Sequence, residues 1–282
     1  MIEVPWADRW AHRPITAKAR LGQLLRLAAL VPLAVLLPLT ALLLPRSAPA
    51  EELNVAVAAN FFGTLQKLAP SFEEASGDKL VVSSGSSGQF YTQIKQGAPF
   101  DVLLSADSDR PKQLEMEGLA LAGSRFTYAV GTLVLWSPKA DVVDSDGNVL
   151  KSGRFRMLGI ADPRNAPYGA AAQQVLTALG LWDKLNQDKK LAVGENITQA
   201  WQFVATGNVD FGFVALSQVV DGGAIRGSSW VPPLALYTPI DQDAVILART
   251  SKRKNAEAFM TWLRHDRAAI AAIKAAGYRV KE

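Results

Sequence analysis

Ser83-Ser84-Gly85-Ser86-Ser87-Gly88 places four hydroxyls and two glycines between an apolar run ending at Val82 and a helix-like run from Gln89 to Gln96. A strand that turns into a helix through small polar residues leaves backbone N–H groups and hydroxyls pointing at one spot. That arrangement suits an anion. The segment holds no Lys or Arg, so an anion there would be held by dipoles and hydrogen bonds alone. Nucleic-acid binders neutralise phosphates with cations, so the chemistry expected here is reversible binding of a small oxyanion.

The same pattern of strand, short neutral loop and helix start recurs at Ala59-Asn60, at Pro167-Tyr168-Gly169 and at Glu195-Asn196-Ile197. In a parallel sheet these loops lie at the carboxyl ends of strands, where open α/β folds place ligands. Each helix N-terminus converging there would favour an anion by about 0.3–1 kcal/mol, more if buried. Every one of these residues also has an ordinary structural explanation. Ser87 and Asn60 can be helix caps, Tyr168 a surface plug between Pro and Gly, and Ile197 a core residue in a first helical turn. Repetition at four equivalent places raises the binding reading above the separate ones.

Other chemistries find little support. The chain has no Cys, which removes disulfides, thiolate zinc sites and a Cys nucleophile. It has two His, of which His12 falls in the N-terminal segment and His265 near a helix end, where a cation suits the helix dipole. A Ser-His-Asp hydrolase built on Ser87 would also need a nucleophile elbow, and no Gly-x-Ser-x-Gly occurs. Asp101, Asp107 and Asp109 read as a strand start and a helix cap rather than as a metal site. Nothing places Arg125, Arg154 or Arg156 beside the neutral loops.

These loops need a sheet to hold them. Leu53–Ala59 is an apolar strand, followed by helical spacing of Leu65, Leu68, Phe72 and Ala75 up to Gly77. Leu80–Val82 and Phe100–Ser105 are further strands, with a helix over Lys112–Glu117. The pattern restarts with strands at Thr132–Trp136, within Phe155–Ala161, and at Leu191–Val193 and Asp210–Ala215, and helices at Ala170–Leu179 and Ile197–Thr206. Leu234–Tyr237 and Ala244–Ala248 read as strands returning to the first half, and Asn255–Arg264 as a terminal helix. Strands alternating with helices at this spacing argue an α/β fold.

The first fifty residues read differently. Arg9, Arg13, Lys18, Arg20 and Arg26 precede an apolar run from Leu27 to Leu44, and Ser47-Ala48-Pro49-Ala50 supplies a small-x-small end. This is the pattern of a secretory signal cut after Ala50; an uncut membrane anchor is the alternative. The leader's six Lys/Arg against two Asp/Glu account for the whole chain's net charge of +4, so residues 51–282 balance to zero. The basic character therefore gives no reason to invoke nucleic acid.

Taken with Val55-Ala56-Val57-Ala58-Ala59-Asn60-Phe61, Gly97-Ala98-Pro99-Phe100-Asp101-Val102-Leu103-Leu104-Ser105-Ala106-Asp107, Asp162-Pro163, Pro167-Tyr168-Gly169 and Asn196-Ile197, the serine segment resembles the periplasmic molybdate-binding proteins of ABC importers. These are type II periplasmic binding proteins, and the resemblance spans essentially all of residues 51–282. It implies two lobes, each a mixed sheet flanked by helices: residues 51–131 with 239–282, and residues 132–238. The ligand would sit in the interlobe cleft. It implies capture of molybdate or tungstate for delivery to a membrane permease, by a monomeric, non-enzymatic periplasmic protein. No cofactor is implied, no metal beyond the molybdenum of the oxyanion, and no nucleic acid.

Carried over by position, the ligand residues would be Asn60, Ser87, Tyr168 and Ile197, the last through its backbone N–H. Asn60 stands where the common form has Ser, and together with Tyr168 resembles a family variant. Ala59 stands where that variant often has Thr, and Ala215 where the common form has Tyr. Those departures keep open a different tetrahedral oxyanion, or a small organic acid, on the same fold.

Overall fold

In a computed structural model, residues 50–281 are described; residues 1–49 of the expected leader lie outside them. Two five-stranded sheets organise the chain. β1 (Glu52–Ala58) runs into helix α1 (Ala59–Ser76), and β2 (Lys79–Gly85) into α2 (Ser87–Lys95). β3 (Val102–Leu104) precedes α3 (Asp109–Met116), and β4 (Phe126–Gly131) ends the first stretch. The second stretch holds β5 (Leu133–Ser137), α4 (Val149–Ser152), β6 (Leu158–Ala161), α5 (Pro167–Ala178) and α6 (Trp182–Gln187). It continues with β7 (Leu191–Gly194), α7 (Ile197–Ala205) and β8 (Phe211–Ala215). β9 (Val220–Asp221) and β10 (Ala224–Ile225) form a small ribbon, and β11 (Ser228–Trp230) follows. β12 (Ile240–Ile246), α8 (Arg253–His265) and α9 (Arg267–Ala275) return to the first sheet.

The first sheet has the order β2-β1-β3-β12-β4, and the second β11-β5-β8-β6-β7. Both are mixed: β1, β2 and β3 are parallel while β12 is antiparallel to β3 and β4. In the second sheet β6, β7 and β8 are parallel while β5 is antiparallel to β8 and β11. Each sheet with the helices on it forms a lobe.

β1 shows why the local sequence folds this way. Leu53, Val55 and Val57 pack into one core with Phe61, Leu65 and Phe72 of α1, while Ala56 faces a second core with Phe90 and Ile94 of α2. Both faces are covered, so the strand reads as a continuous apolar run. A third core fills the second lobe and takes in Ala58, Ala59 and Ala106 of the first. Apolar packing is therefore continuous where the lobes meet.

Several elements differ from the sequence expectation. Ser83 and Ser84 belong to β2, paired with Ala56 and Val57, and strand alternation sends them to opposite faces. Leu234–Leu236 is a 3-10 turn rather than a strand. β4, β11 and α9 have no counterpart in the sequence reading. Asp101 and Asp107 are structural: Asp101 accepts from the Asn54 N–H at 2.8 Å and from Thr250 Oγ1 at 2.6 Å, and Asp107 from the Arg110 N–H at 3.0 Å. Among the described residues no cluster of His, Asp and Glu could hold a metal ion, and no helix is long and apolar enough to cross a membrane.

Candidate functional site: a neutral cavity between the lobes

Four helices begin where a parallel strand ends, and their first turns meet at one cavity between the sheets. The space is narrow: about 200 Å³ is free of protein atoms, solvent-open parts included, and about 10 Å³ of it admits the centre of a water-sized sphere. Asn60 reaches it from α1, Ser86 and Ser87 from α2, Tyr168 from α5, and Ile197 from α7. Thus Asn60, Ser87, Tyr168 and Ile197 surround a single space, although up to 137 residues separate them in sequence. The rest of the wall is Ala, Gly, Pro and Asn; among the described residues no charged side chain lines it.

Three of the four helix starts lack a side-chain cap. Ala58 and Ala166 precede α1 and α5 and bring no acceptor, and Ser86 makes no side-chain cap bond to α2. No side-chain cap therefore takes the first-turn N–H groups of these helices, though that of Gly88 donates to the Asn165 carbonyl, and a helix start carries partial positive charge. At α7, Asn196 Oδ1 accepts from the N–H groups of Thr198 (3.0 Å) and Gln199 (3.1 Å). That cap leaves out the N–H of Ile197, which begins the helix at the cavity wall.

The hydroxyls are equally telling. Ser87 is fully buried, and its Oγ accepts from the Ala106 N–H at 2.9 Å. A hydroxyl that accepts still has its proton to give. Ser86 Oγ is buried and has no hydrogen-bond partner; the Ser86 N–H is taken by Gln89 Oε1 at 3.2 Å. Of this run the sequence reading singled out Ser87 alone. Ser86 was legible only as one more hydroxyl in the run, because pairing inside a fold decides which of them is left free.

Behind the wall sits a polar hub. Gln242, on β12, is fully buried. Its Oε1 accepts from Asn60 Nδ2 at 2.8 Å and lies 3.2 Å from the Tyr128 hydroxyl, while its Nε2 donates to the Tyr168 hydroxyl at 3.2 Å. Asn60 Nδ2 also donates to the Tyr278 hydroxyl at 3.1 Å, and that hydroxyl donates to the Asn60 carbonyl at 2.7 Å. Both amide hydrogens of Asn60 are thus engaged within the protein, and Asn60 does not cap α1, in which it is the second residue. Burial pushes the phenols of Tyr128, Tyr168 and Tyr278 upward in pKa, so all three stay protonated at neutral pH.

The lobes are hydrogen-bonded to each other around the cavity. The Gly88 N–H donates to the Asn165 carbonyl at 2.9 Å and Arg110 Nη2 to the Arg164 carbonyl at 3.0 Å. Thr198 Oγ1 donates to the Ala59 carbonyl at 3.3 Å, and Ser217 Oγ to that of Asn60 at 3.1 Å. Gln89 Nε2 donates to the Glu195 carboxylate. Two arginines beside the interlobe contacts are already paired, Arg110 with Asp107 and Arg164 with Asp162 at 2.8 Å. Arg125 is bound to Glu115 (2.9 Å) and Asp243 (2.6 Å), and Arg156 to Asp210 (3.4 Å). Ala59 lies in the cavity wall, whereas Ala215 is buried at the end of β8 with its N–H on Gln218 Oε1 at 3.0 Å.

Such a chamber offers donors and helix-end potential, and no counter-ion. It can hold a small anion stripped of water, provided many donors reach it, since an uncompensated buried charge is prohibitive.

Comparison with known proteins agrees with this architecture. Residues 53–279 match the family model described as bacterial extracellular solute-binding protein. The molybdate-binding protein ModA of Azotobacter vinelandii is 52% identical over 237 residues, covering 84% of this chain and 93% of the relative. That of Rhodobacter capsulatus is 49% identical over 223 residues, covering 79% and 86%. The solved Azotobacter vinelandii periplasmic molybdate-binding protein superposes with a TM-score of 0.80 at 48% identity, covering 82% of this chain and all of that one. By its two-sheet fold, its interlobe cavity and these matches, the chain belongs to the family of bacterial extracellular solute-binding proteins.

Proposed function

We propose that this protein captures molybdate, or the isosteric tungstate, as a dianion in the interlobe cavity and hands it to the membrane permease of an ABC importer. The observation that carries the reading is the convergence of four helix N-termini on one small space whose wall has no charged side chain among the described residues. The donors are the first-turn N–H groups at Asn60, Tyr168 and Ile197, the hydroxyls of Ser86 and Ser87, and the phenol of Tyr168. Each charge-assisted hydrogen bond contributes about 1.5–3 kcal/mol, and several together offset the desolvation of a dianion. Fixed neutral dipoles also avoid an Arg fork, which would grip any carboxylate or phosphate, and leave size to discriminate between oxyanions. Relatives at 52% and 49% identity that carry the name molybdate-binding protein support the choice of oxyanion.

The protein works as a binding protein and not as an enzyme. It is exported by its leader and acts as a monomer in the periplasm. Ligand bridging the lobes favours the closed form by its differential affinity. Titration calorimetry of the chain from Glu51 with molybdate, tungstate, sulfate and phosphate tests the reading. Binding of sulfate or phosphate with no heat from molybdate or tungstate refutes it.

A further inference from the structure

Gln242 lies outside the cavity wall, yet it touches a wall residue from each lobe. Its amide orientation is fixed from one side. Oε1 receives the Asn60 Nδ2 hydrogen at 2.8 Å, which turns Nε2 toward Tyr168; the Tyr128 hydroxyl, 3.2 Å from Oε1, has a nearer acceptor in the Ser105 carbonyl at 3.0 Å. An amide nitrogen only donates. The Tyr168 oxygen therefore accepts from Gln242 at 3.2 Å, and its own proton has to go elsewhere. Tyr168 is 1% exposed, its hydroxyl donates to no acceptor among the described residues, and Tyr168 is one of the residues lining the cavity.

The backbone around this contact is shaped for it. Gly131 ends β4, opposite Ile240 of β12. A Cβ at Gly131 would lie 2.1 Å from the Tyr168 oxygen and 2.7 Å from Gln242 Nε2. The missing side chain is the room in which phenol and amide meet.

We infer that Gln242 is a positioning residue for the oxyanion: by donating to the Tyr168 oxygen it forces the phenol proton into the cavity, making Tyr168 a dedicated donor to the bound dianion. This deepens the proposed function and rests on it. The same amide holds Asn60 of the first lobe, so β12 ties the donor sets of both lobes to one fixed polarity. A buried network with every member committed in direction is stiff, and its parts are not independent.

The test is a double-mutant cycle on the full mature chain, read by calorimetric titration with molybdate and by thermal melting. Tyr168→Phe removes the donor and should weaken binding about 10–100-fold. Gln242→Met keeps the volume, frees the phenol to rotate its proton, and should weaken binding about 5–50-fold on its own. In the Tyr168→Phe background Gln242→Met should add less than about threefold, because there is no phenol proton left to direct. A merely structural Gln242 would give the same loss in both backgrounds, and that result overturns the inference. Gln242→Glu is the second variant: its carboxyl accepts from both neighbours and draws the phenol proton out of the cavity. It should weaken binding at least as much as Gln242→Met, and affinity equal to wild type overturns the inference. A wild-type protein that binds neither molybdate nor tungstate overturns both this inference and the function it rests on.

Discussion

Gly88→Ala should impair lobe closure while leaving the unliganded fold intact. Gly88 is the second residue of α2, and its N–H donates to the Asn165 carbonyl of the other lobe at 2.9 Å. A Cβ there would lie 2.9 Å from Asn165 Cα, 2.9 Å from Asn165 Oδ1 and 3.0 Å from Arg110 Nη2. Ordinary contacts are about 3.5–4.0 Å, so the lobes must part by about 0.5–1 Å. Arg110 can swing away, but the Asn165 backbone cannot. That displacement breaks the Gly88–Asn165 bond and loosens the Arg110–Arg164 contact, at about 0.5–1.5 kcal/mol each. The sum, about 1–3 kcal/mol, is a loss of about 5–150-fold in oxyanion affinity. Within α2 itself Ala is the better helix former, by up to about 1 kcal/mol. The unliganded protein should therefore melt at the wild-type temperature or slightly above it, while the melting shift produced by molybdate shrinks. Calorimetry and paired melting curves decide the matter. Affinity within twofold of wild type, or an equal drop in melting temperature with and without ligand, refutes the reasoning.

Ser87→Ala removes a donor and orphans the Ala106 N–H; calorimetry should show about 1–3 kcal/mol of lost oxyanion binding, and unchanged affinity would take Ser87 out of the site. Ser86→Ala should act in opposite directions on fold and binding. Deleting a buried, unpaired hydroxyl should raise the unliganded stability by about 1 kcal/mol in urea melts, while affinity falls; a loss of stability would show that the hydroxyl has a partner. Tyr128, Tyr168 and Tyr278 have folded-state pKa values raised by burial. Their contribution to stability is fully present below the unfolded phenol value of about 10 and is lost as pH rises from there toward the raised folded values. Thermal melts should be flat in this contribution between pH 7 and 9 and should fall above about pH 10, and a melting temperature unchanged to pH 11 would contradict it.

Much of this protein is decided locally. The apolar run at Leu53–Ala58 and the helical spacing from Leu65 to Phe72 become β1 and α1 because burial on both faces and on one face, respectively, is what those patterns permit. The neutral loops at Asn60, Ser87, Tyr168 and Ile197 were legible for the same reason: a helix start after a strand exposes N–H groups whatever the rest of the fold does. Reading hydroxyls as a set was misleading, since pleating in β2 disperses Ser83 and Ser84. β11, three residues long, escaped because so short a strand owes its existence to the partner it pairs with, β5.

The tertiary structure alone decided what each donor does. Gln242 meets Asn60 across 182 residues of sequence and Tyr168 across 74, and no local pattern marks it. Gly131 and Gly88 look like any glycine until the chain that approaches each is in place. Ser86 and Ser87 are chemically identical, and only the Ala106 N–H, brought in by β3, makes one of them an oriented donor and leaves the other unpaired. Residue types and their periodicity thus determined that helix ends free of charged side chains would exist. Long-range packing determined that four of them share one cavity, and which way each proton points, because hydrogen-bond direction is a property of the closed network and not of any residue in it.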